Sequence, residues 1–154
     1  MSVFLADEQS EDIDLAELRT LAEMVLNEEG YPEETEVTIL LINEEEMSGY
    51  NERFLDRSGP TDVLAFPVED LLPGIVPEHN PHGPPLMIGD VIVAPAYIRR
   101  QATDYEVTFE DEMALMVTHG VLHLIGYDHI VDGDAERMEQ RERDLLAKVG
   151  KQRR

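Results

Sequence analysis

Apolar residues recur along this chain with two different periods, one typical of helices and one typical of strands. Residues 13–29 place Leu18, Ala22 and Val25 on one face at three- and four-residue spacing, which is typical of an amphipathic helix. Residues 36–42 form a short apolar run, typical of a buried strand. The pattern predicts helices at 13–29, 44–55, 95–103, 108–126 and 134–149 and strands at 36–42, 61–68 and 87–94, with room for another strand at 3–6.

The most apolar of the predicted helices spans residues 108–126. Its apolar side chains point almost all round, so we expect this helix to lie at the centre of the fold. Helices and strands in the order α-β-α-β-β-α-α-α suit an α+β fold, in which helices cover a small mixed sheet. With 154 residues and neither a linker nor a repeat, the sequence predicts a single domain over residues 1–154.

The composition narrows the functions that fit this fold. A formal net charge of −22 argues against a protein that coats nucleic acid, so any contact with RNA has to be local, through a small basic patch or a metal ion. The absence of cysteine excludes disulfides and thiolate metal sites and suits a reducing cytoplasm. The apolar runs are too short for a membrane helix, and the acidic N-terminal segment is unlike a secretory signal. We therefore expect a cytoplasmic protein without a membrane partner.

Three of the five histidines fall within eleven residues, in the segment THGVLHLIGYDH at 118–129. His119 and His123 are four residues apart on the predicted central helix, so both imidazoles lie on one face and can hold one metal ion. His129 can join them only if the helix stops, and Gly126 can provide the left-handed turn that stops it. A histidine pair at this spacing is most often incidental. The third histidine after a glycine is what favours a metal site.

Three protein ligands leave one position for water, which is the pattern of catalytic rather than structural zinc. We therefore predict one Zn²⁺ ion on His119, His123 and His129, although imidazole ligands also suit nickel, copper or iron. The spacing H-x-x-x-H-x-x-G-x-x-H is shared with metzincin proteases. Those enzymes carry a glutamate base directly after the first histidine, where this chain has Gly120, so the sequence argues against peptide cleavage.

The segment HGVLHLIGYDH resembles the signature of the YbeY family, the bacterial endoribonucleases of ribosomal RNA maturation, at every fixed position. Two further stretches, PTDVLAFP at 60–67 and IGDVIVA at 88–94, are similar to strands of that family and stand in family order. The resemblance implies a metal-dependent hydrolase that cuts single-stranded RNA, matures the 3′ end of small-subunit ribosomal RNA and serves ribosome quality control. It also implies zinc on the three signature histidines, the ribosome or its small subunit as partner, and no DNA.

One departure from the family pattern concerns the catalytic residues. Family members usually carry an arginine, tied to activity, about five residues before the proline of P-T-D-V, and counting back from Pro60 reaches Leu55. Arg53 and Arg57 would lie about 200° from Leu55 on a continuous helix, although a frayed helix end could let Arg57 reach the site. Arg57 is a candidate for binding phosphate. Asp128 is a candidate base or histidine partner, or else a turn aspartate.

Other polar residues near these motifs are expected to be mainly structural. We expect Tyr127 to serve packing, Asp62 to cap a strand, and residues 151–154 to form a frayed tail. Asp90 follows a glycine in an apolar strand, and a buried carboxylate there would need partners, so it could support the site.

Three functions stay open from the sequence. The leading one is a zinc-dependent endoribonuclease, and the others are a metal hydrolase acting on another substrate, such as a peptide, and a ribosome assembly factor with weak or no cleavage activity. Leu55 at the arginine position keeps the assembly factor in consideration. Because the overall charge repels phosphate, we expect RNA binding to be weak without the metal or a partner.

Overall fold

A computed structural model describes residues 2–128 and 132–154. Its elements confirm the predicted α+β class and order, including the strand near the N-terminus, with ends that differ from the predicted ones by a few residues. Over the described residues the elements are β1 (Ser2–Glu8), α1 (Leu15–Glu28), β2 (Glu36–Ile42), α2 (Glu44–Leu55), β3 (Val63–Pro67), β4 (Met87–Val93), α3 (Pro95–Asp104), α4 (Phe109–Leu124) and α5 (Asp132–Ala147). Within these ranges no helix is long and apolar enough to cross a membrane.

The four strands form one mixed sheet in the order β1-β2-β4-β3. β1, β2 and β4 are parallel to their neighbours, whereas β3 runs antiparallel to β4 and forms one edge of the sheet. Successive side chains of β4 alternate between the two faces. Val91 and Val93 join the main core, and Ile92 joins a smaller cluster beneath α2.

The alternation along β4 also corrects one expectation from the sequence. Asp90 is exposed rather than buried, because it stands on the opposite face of β4 from Val91 and lies outside both apolar clusters. It pairs in register with Phe66 of β3. A solvated carboxylate needs no buried partner, so Asp90 has no evident role in supporting the histidine site.

Helix α4 is the central element of the fold, as its sequence predicts. It contacts α1, α3, α5, β3 and β4, and its buried residues face several directions. Thr108 caps its first turn by accepting a hydrogen bond from the backbone N–H of Asp111 at 3.1 Å. The polar residues of this helix that face the site are therefore held by a rigid, packed scaffold.

Gly126 ends α4 in the way the sequence predicts. Its φ of +106° is open to glycine but strained for other residues, and an added Cβ would lie 2.2 Å from the carbonyl oxygen of Leu71. The backbone N–H of Tyr127 then turns back to the carbonyl oxygen of Leu122 at 3.0 Å. The chain therefore leaves the helix direction immediately after the second histidine.

Gly120 brings α4 unusually close to the sheet. A Cβ at this position would lie 2.6 Å from Cγ1 of Val91 and 3.2 Å from Cγ2 of Val63. Such contacts leave no room for a side chain, so the position that carries the general base in metzincin proteases is closed here by packing. The close packing of α4 on the sheet therefore excludes a glutamate side chain at this position.

We expect Gly120→Ala to be less stable than Gly49→Ala by about 1–3 kcal/mol, the usual cost of overpacking a core. Both substitutions lie inside helices and gain the same helix propensity, about 1 kcal/mol. Gly49 is the matched control because its added Cβ meets only the end of the Arg53 side chain, at 3.9 Å. Urea unfolding of the two variants measures the difference. Equal stabilities would contradict the close approach of α4 to the sheet.

Candidate metal centre and the cleft beside it

His119 and His123 direct the same ring nitrogen toward a common point. They lie one turn apart on α4, their ring centroids are 4.5 Å apart, and their planes are nearly perpendicular, at 87°. Their Nε2 atoms are 3.0 Å apart. Two nitrogens bound tetrahedrally to one zinc ion would be about 3.3 Å apart, given bonds of ~2.0–2.1 Å. The pair therefore matches the spacing of two zinc ligands closely.

The other nitrogen of each ring is held by an acceptor. Nδ1 of His123 donates to the backbone carbonyl of Tyr127 at 2.9 Å, and Nδ1 of His119 donates to Oε2 of Glu142 at 2.9 Å. A carbonyl or an ionised carboxylate can only accept, so both imidazoles carry their hydrogen on Nδ1. With one hydrogen per ring, the Nε2 lone pairs face each other, an arrangement that is favourable when a cation lies between them. Outer partners of this kind are typical of histidines that bind metals.

Glu142 on α5 is the partner that the sequence reasoning missed. Only 1% of its side chain is exposed, and its second oxygen accepts from Nε of Arg153 at 3.0 Å. Burial alone would raise the pKa of this carboxyl group, but the hydrogen bonds and charges of His119 and Arg153 outweigh burial and lower the pKa below its ordinary value. Glu142 is therefore ionised and orients the His119 ring.

A signal for Glu142 was present in the sequence. The inner stripe of α5 carries Met138 and Leu145, and Glu142 stands on the same stripe, four residues after one and three before the other. A carboxylate on the buried face of an amphipathic helix needs a partner. That rule would have marked Glu142, although only the tertiary structure identifies His119 as the partner.

The third predicted ligand, His129, lies outside the described residues. In residues 2–128 and 132–154 no group of three metal-binding side chains comes together, so a three-histidine site stays a prediction. Asp128 is exposed at the end of the first described range, and its role as base, histidine partner or turn residue also stays a prediction. Tyr127 is 6% exposed and its hydroxyl donates to Glu29, so it serves packing, as expected.

A cleft of about 500 Å³ opens beside the histidine pair. Its walls are β3, the face of α4 that carries the histidines, and parts of α2 and the C-terminal segment. Three arginines lie among its lining residues, although the chain has only 12 basic residues against 34 acidic ones. They are Arg57, Arg153 and Arg154. Asp62 and Glu142 also line the cleft, so its positive charge is local and is carried mainly by the exposed Arg57.

The C-terminal segment is ordered against the site, and the expectation of a frayed tail was wrong. Nε of Arg154 binds Oε1 of Glu112 at 2.9 Å, and its guanidinium lies 3.7 Å from the ring centre of Tyr105. Arg153 pairs with Glu142. Both acceptor carboxylates are only 1% exposed, and buried charges of this kind require a counter-charge. The need to neutralise them holds the segment in place.

The end of α2 decides which arginine reaches the cleft. The helix stops at Leu55, and Asp56 takes a left-handed conformation with φ of 52°, so the chain turns before Arg57. Arg57 then lines the cleft together with Leu55. Arg53 stays on the helix, with its guanidinium over Tyr50 at 5.4 Å. The structure therefore brings the sequence candidate Arg57 to the cleft that the histidine pair also lines, by a turn rather than along a continuous helix.

The backbone of β3 also faces the cleft. The bonds from Ala94 N to Asp62 O and from Val68 N to Ile88 O show that even-numbered residues of this segment pair with β4. The backbone N–H and C=O of Ala65 therefore point to the open edge of the sheet. Asp62 itself accepts from the backbone N–H of Val63 at 2.7 Å, which fits the expected capping role. An outward N–H on an edge strand is a donor available to a bound phosphate.

Comparison with known proteins gives a consistent result. The family model described as Endoribonuclease YbeY matches residues 4–150. The chain is 42% identical over 138 residues to Endoribonuclease YbeY of Acidothermus cellulolyticus, covering 89% of this chain and 84% of that protein. It is 37% identical to the protein of the same name from Beutenbergia cavernae, covering 95% of both chains. The solution structure of TM1509 from Thermotoga maritima is similar, with a TM-score of 0.62 and 25% identity, covering 96% of this chain and 91% of that one.

Proposed function

This chain belongs to the YbeY family of endoribonucleases, and from that premise we propose that it is a zinc-dependent enzyme that cuts single-stranded ribosomal RNA. The proposal includes maturation of the small-subunit RNA 3′ end, ribosome quality control, and action in the cytoplasm at the ribosome. One observation carries it: two imidazoles with converging Nε2 atoms and anchored Nδ1 atoms open onto a cleft lined by arginines. That arrangement combines metal ligands with phosphate-binding groups.

The residues around the histidine pair have separate roles in holding the metal ion. His119 and His123, with His129 as the predicted third ligand, would hold the ion. A zinc ion supplies Lewis acidity, which lowers the pKa of water and polarises phosphoryl oxygens. Glu142 keeps the His119 ring in the tautomer and orientation that expose Nε2.

The groups that bind substrate in this proposal lie along the cleft. Arg57 is solvent-exposed and unpaired within the described residues, so its planar guanidinium can grip a phosphate through two parallel hydrogen bonds. The outward N–H of Ala65 can donate to the same backbone. Arg153 and Arg154 are engaged with buried carboxylates, which use up much of their charge, so Arg57 is the main phosphate-binding arginine in this proposal. Gly120 leaves no side chain that could act as the peptide-cleaving base, which favours RNA over a peptide substrate.

The assembly-factor function has one observation in its favour. Leu55, at the position where the family usually has its arginine, lines the cleft and is 41% exposed. An apolar side chain there offers nothing to a phosphate. Arg57 lies two residues on in the same lining and can supply the missing charge, so the endoribonuclease remains the better supported function.

Purified, zinc-loaded protein should cut a short single-stranded RNA and leave the same sequence intact as a duplex or as DNA. The histidine pair lies in a cleft of about 500 Å³, which a flexible unpaired strand enters more easily than a stiff duplex, and DNA lacks the 2′-hydroxyl by which a protein distinguishes RNA. Denaturing gel electrophoresis of end-labelled oligonucleotides measures this. Binding to small ribosomal subunits without cleavage of any RNA, free or in the subunit, would instead support the assembly factor.

A further inference from the structure

Three aromatic rings cluster at the end of α2 on the rim of the cleft. Tyr50 and Phe54 stack one helical turn apart with ring centroids 5.9 Å apart, and Phe66 of β3 meets Phe54 edge to face at 5.3 Å. The guanidinium of Arg53 lies over Tyr50 and Phe54, at 5.4 and 5.7 Å. The chain has only nine phenylalanines and tyrosines in all, four and five respectively. We call the three rings the aromatic platform.

Phe54 differs from the other two rings in its surroundings. Tyr50 and Phe66 are half-buried and pack against the apolar cluster beneath α2, which accounts for them structurally. Phe54 is 56% exposed, and within the described residues its ring contacts are with the platform and Arg53. An exposed ring that rests on two other rings presents a flat apolar surface to solvent.

The platform adjoins the cleft that contains the histidine pair across the open edge of β3. Phe66 and Leu55 both line the cleft. The ring of Phe66 packs on the α2 face of the sheet, so the rings lie beside the cleft rather than within it. Arg57 lies just beyond. A strand whose phosphate is held by Arg57 therefore has an aromatic surface within reach of a neighbouring base.

The charge of the protein makes such a surface useful. With a net charge of −22, long-range electrostatics repel RNA, and the few cleft arginines offset this only locally. Stacking of a base on an aromatic ring depends little on net charge, because every base has an uncharged π-face. Arginine beside the rings adds a cation to the same recognition surface.

We propose that the aromatic platform stacks an unpaired base of the RNA, next to the phosphate that enters the histidine cleft. This inference rests on the proposed function and adds to it the origin of the preference for single strands. A base held in a duplex is stacked on its neighbours and cannot reach the ring. The platform should bind RNA of any base sequence, since it contacts the π-face of a base rather than its hydrogen-bonding groups.

The test measures binding separately from cleavage. The probe is a single-stranded 2′-O-methyl oligonucleotide that contains 2-aminopurine, whose fluorescence falls on stacking, and a gel verifies that it stays intact. We expect Phe54→Ala of the zinc-loaded protein to raise Kd about 5- to 100-fold and to remove the quenching. Phe54→Tyr should bind within about 2-fold of wild type, since it keeps the ring. Phe4→Ala is the matched control, because Phe4 is 53% exposed and lies on β1 at the opposite edge of the sheet.

A second probe isolates the base from the phosphate. An oligonucleotide with one abasic site lacks one base but keeps every phosphate. If the missing base is the one that stacks on Phe54, the wild type should lose affinity for this probe, and Phe54→Ala should bind it no more weakly than it binds the intact probe. Unchanged binding of Phe54→Ala relative to Phe4→Ala would overturn the platform, and would leave the rings as a contact for a protein. If wild type still cuts RNA in that case, the proposed function stands without the platform. Failure of wild type to bind any of the probes would overturn the platform as well.

Discussion

Substitution of His119 by alanine is expected to reduce RNA cleavage by about a thousandfold or more. The substitution removes one of two Nε2 atoms that converge within 3.0 Å, and with it the means of holding the ion. Metal-ion catalysis is worth several kcal/mol of transition-state stabilisation, and each 1.36 kcal/mol is tenfold in rate. The measurements are initial rates on a single-stranded RNA and zinc content by elemental analysis. A chelator should produce the same loss in the wild type, and added zinc should restore it only there.

The control for this experiment is His82→Ala. His82 is an exposed histidine of the loop between β3 and β4, where its backbone N–H binds Asn80 at 3.0 Å, so its ring can be removed without disturbing the core. It should retain wild-type zinc and wild-type rate. Cleavage that survives in His119→Ala would mean that a contaminating ribonuclease or another site does the cutting. Full zinc occupancy in His119→Ala would contradict its assignment as a ligand.

Glu142→Gln is expected to weaken zinc binding about 10- to 100-fold, the usual effect of losing a group that orients a metal-bound histidine. Glutamine keeps the size and one acceptor oxygen but removes the negative charge that holds Nδ1–H of His119 at 2.9 Å and Arg153 at 3.0 Å. Cleavage should fall in parallel at limiting zinc and recover substantially when zinc is in excess. Zinc titration against a competing chelator measures the affinity directly.

The matched control is Glu139→Gln. Glu139 lies on the same helix and pairs with the same Arg153 at 3.4 Å, but 43% of its side chain is exposed. Exposed ion pairs contribute only about 0–1 kcal/mol, so this variant should bind zinc nearly as the wild type does. Equal losses in both variants would show that the effect acts through Arg153 rather than through the histidine. Thermal unfolding of the zinc-free proteins separates a loss of fold from a loss of metal affinity.

The sequence was sufficient for the features that depend on spacing along one element. The i, i+4 histidines lie on one face of α4 because helix geometry requires it, and Gly126 ends that helix with a positive φ because glycine alone adopts it without strain. Features that depend on contacts between distant segments could not be predicted from the sequence. Glu142 reaches His119 across 23 residues, and Arg154 reaches Glu112 across 42. No local sequence pattern predicts which residues form such pairs. A carboxylate on the buried face of a helix predicts only that some partner exists.

The position of Arg57 illustrates a third kind of case, in which the direction of the chain beyond a helix end decides where a side chain lies. A continuous helix would have turned Arg57 away from the direction of Leu55. The helix instead stops at Leu55, and the left-handed Asp56 redirects the chain. Helix ends are set by capping and by small differences in propensity, and they are the least certain part of any reading of sequence. Here the turn at Asp56 makes Arg57, which the sequence left as a candidate, a lining residue of the cleft.

The burial of α4 has a consequence for the motions of the site. Protein segments open locally with free energies that rise with their packing, and the most deeply packed segments open only when the whole molecule unfolds. α4 is surrounded by three helices and two strands, so His119 and His123 are carried by such a segment. The loss of conformational entropy on aligning these two rings therefore occurs when the protein folds, and not when the metal binds. An incoming ion meets them already aligned, and the gain from that preorganisation appears as affinity.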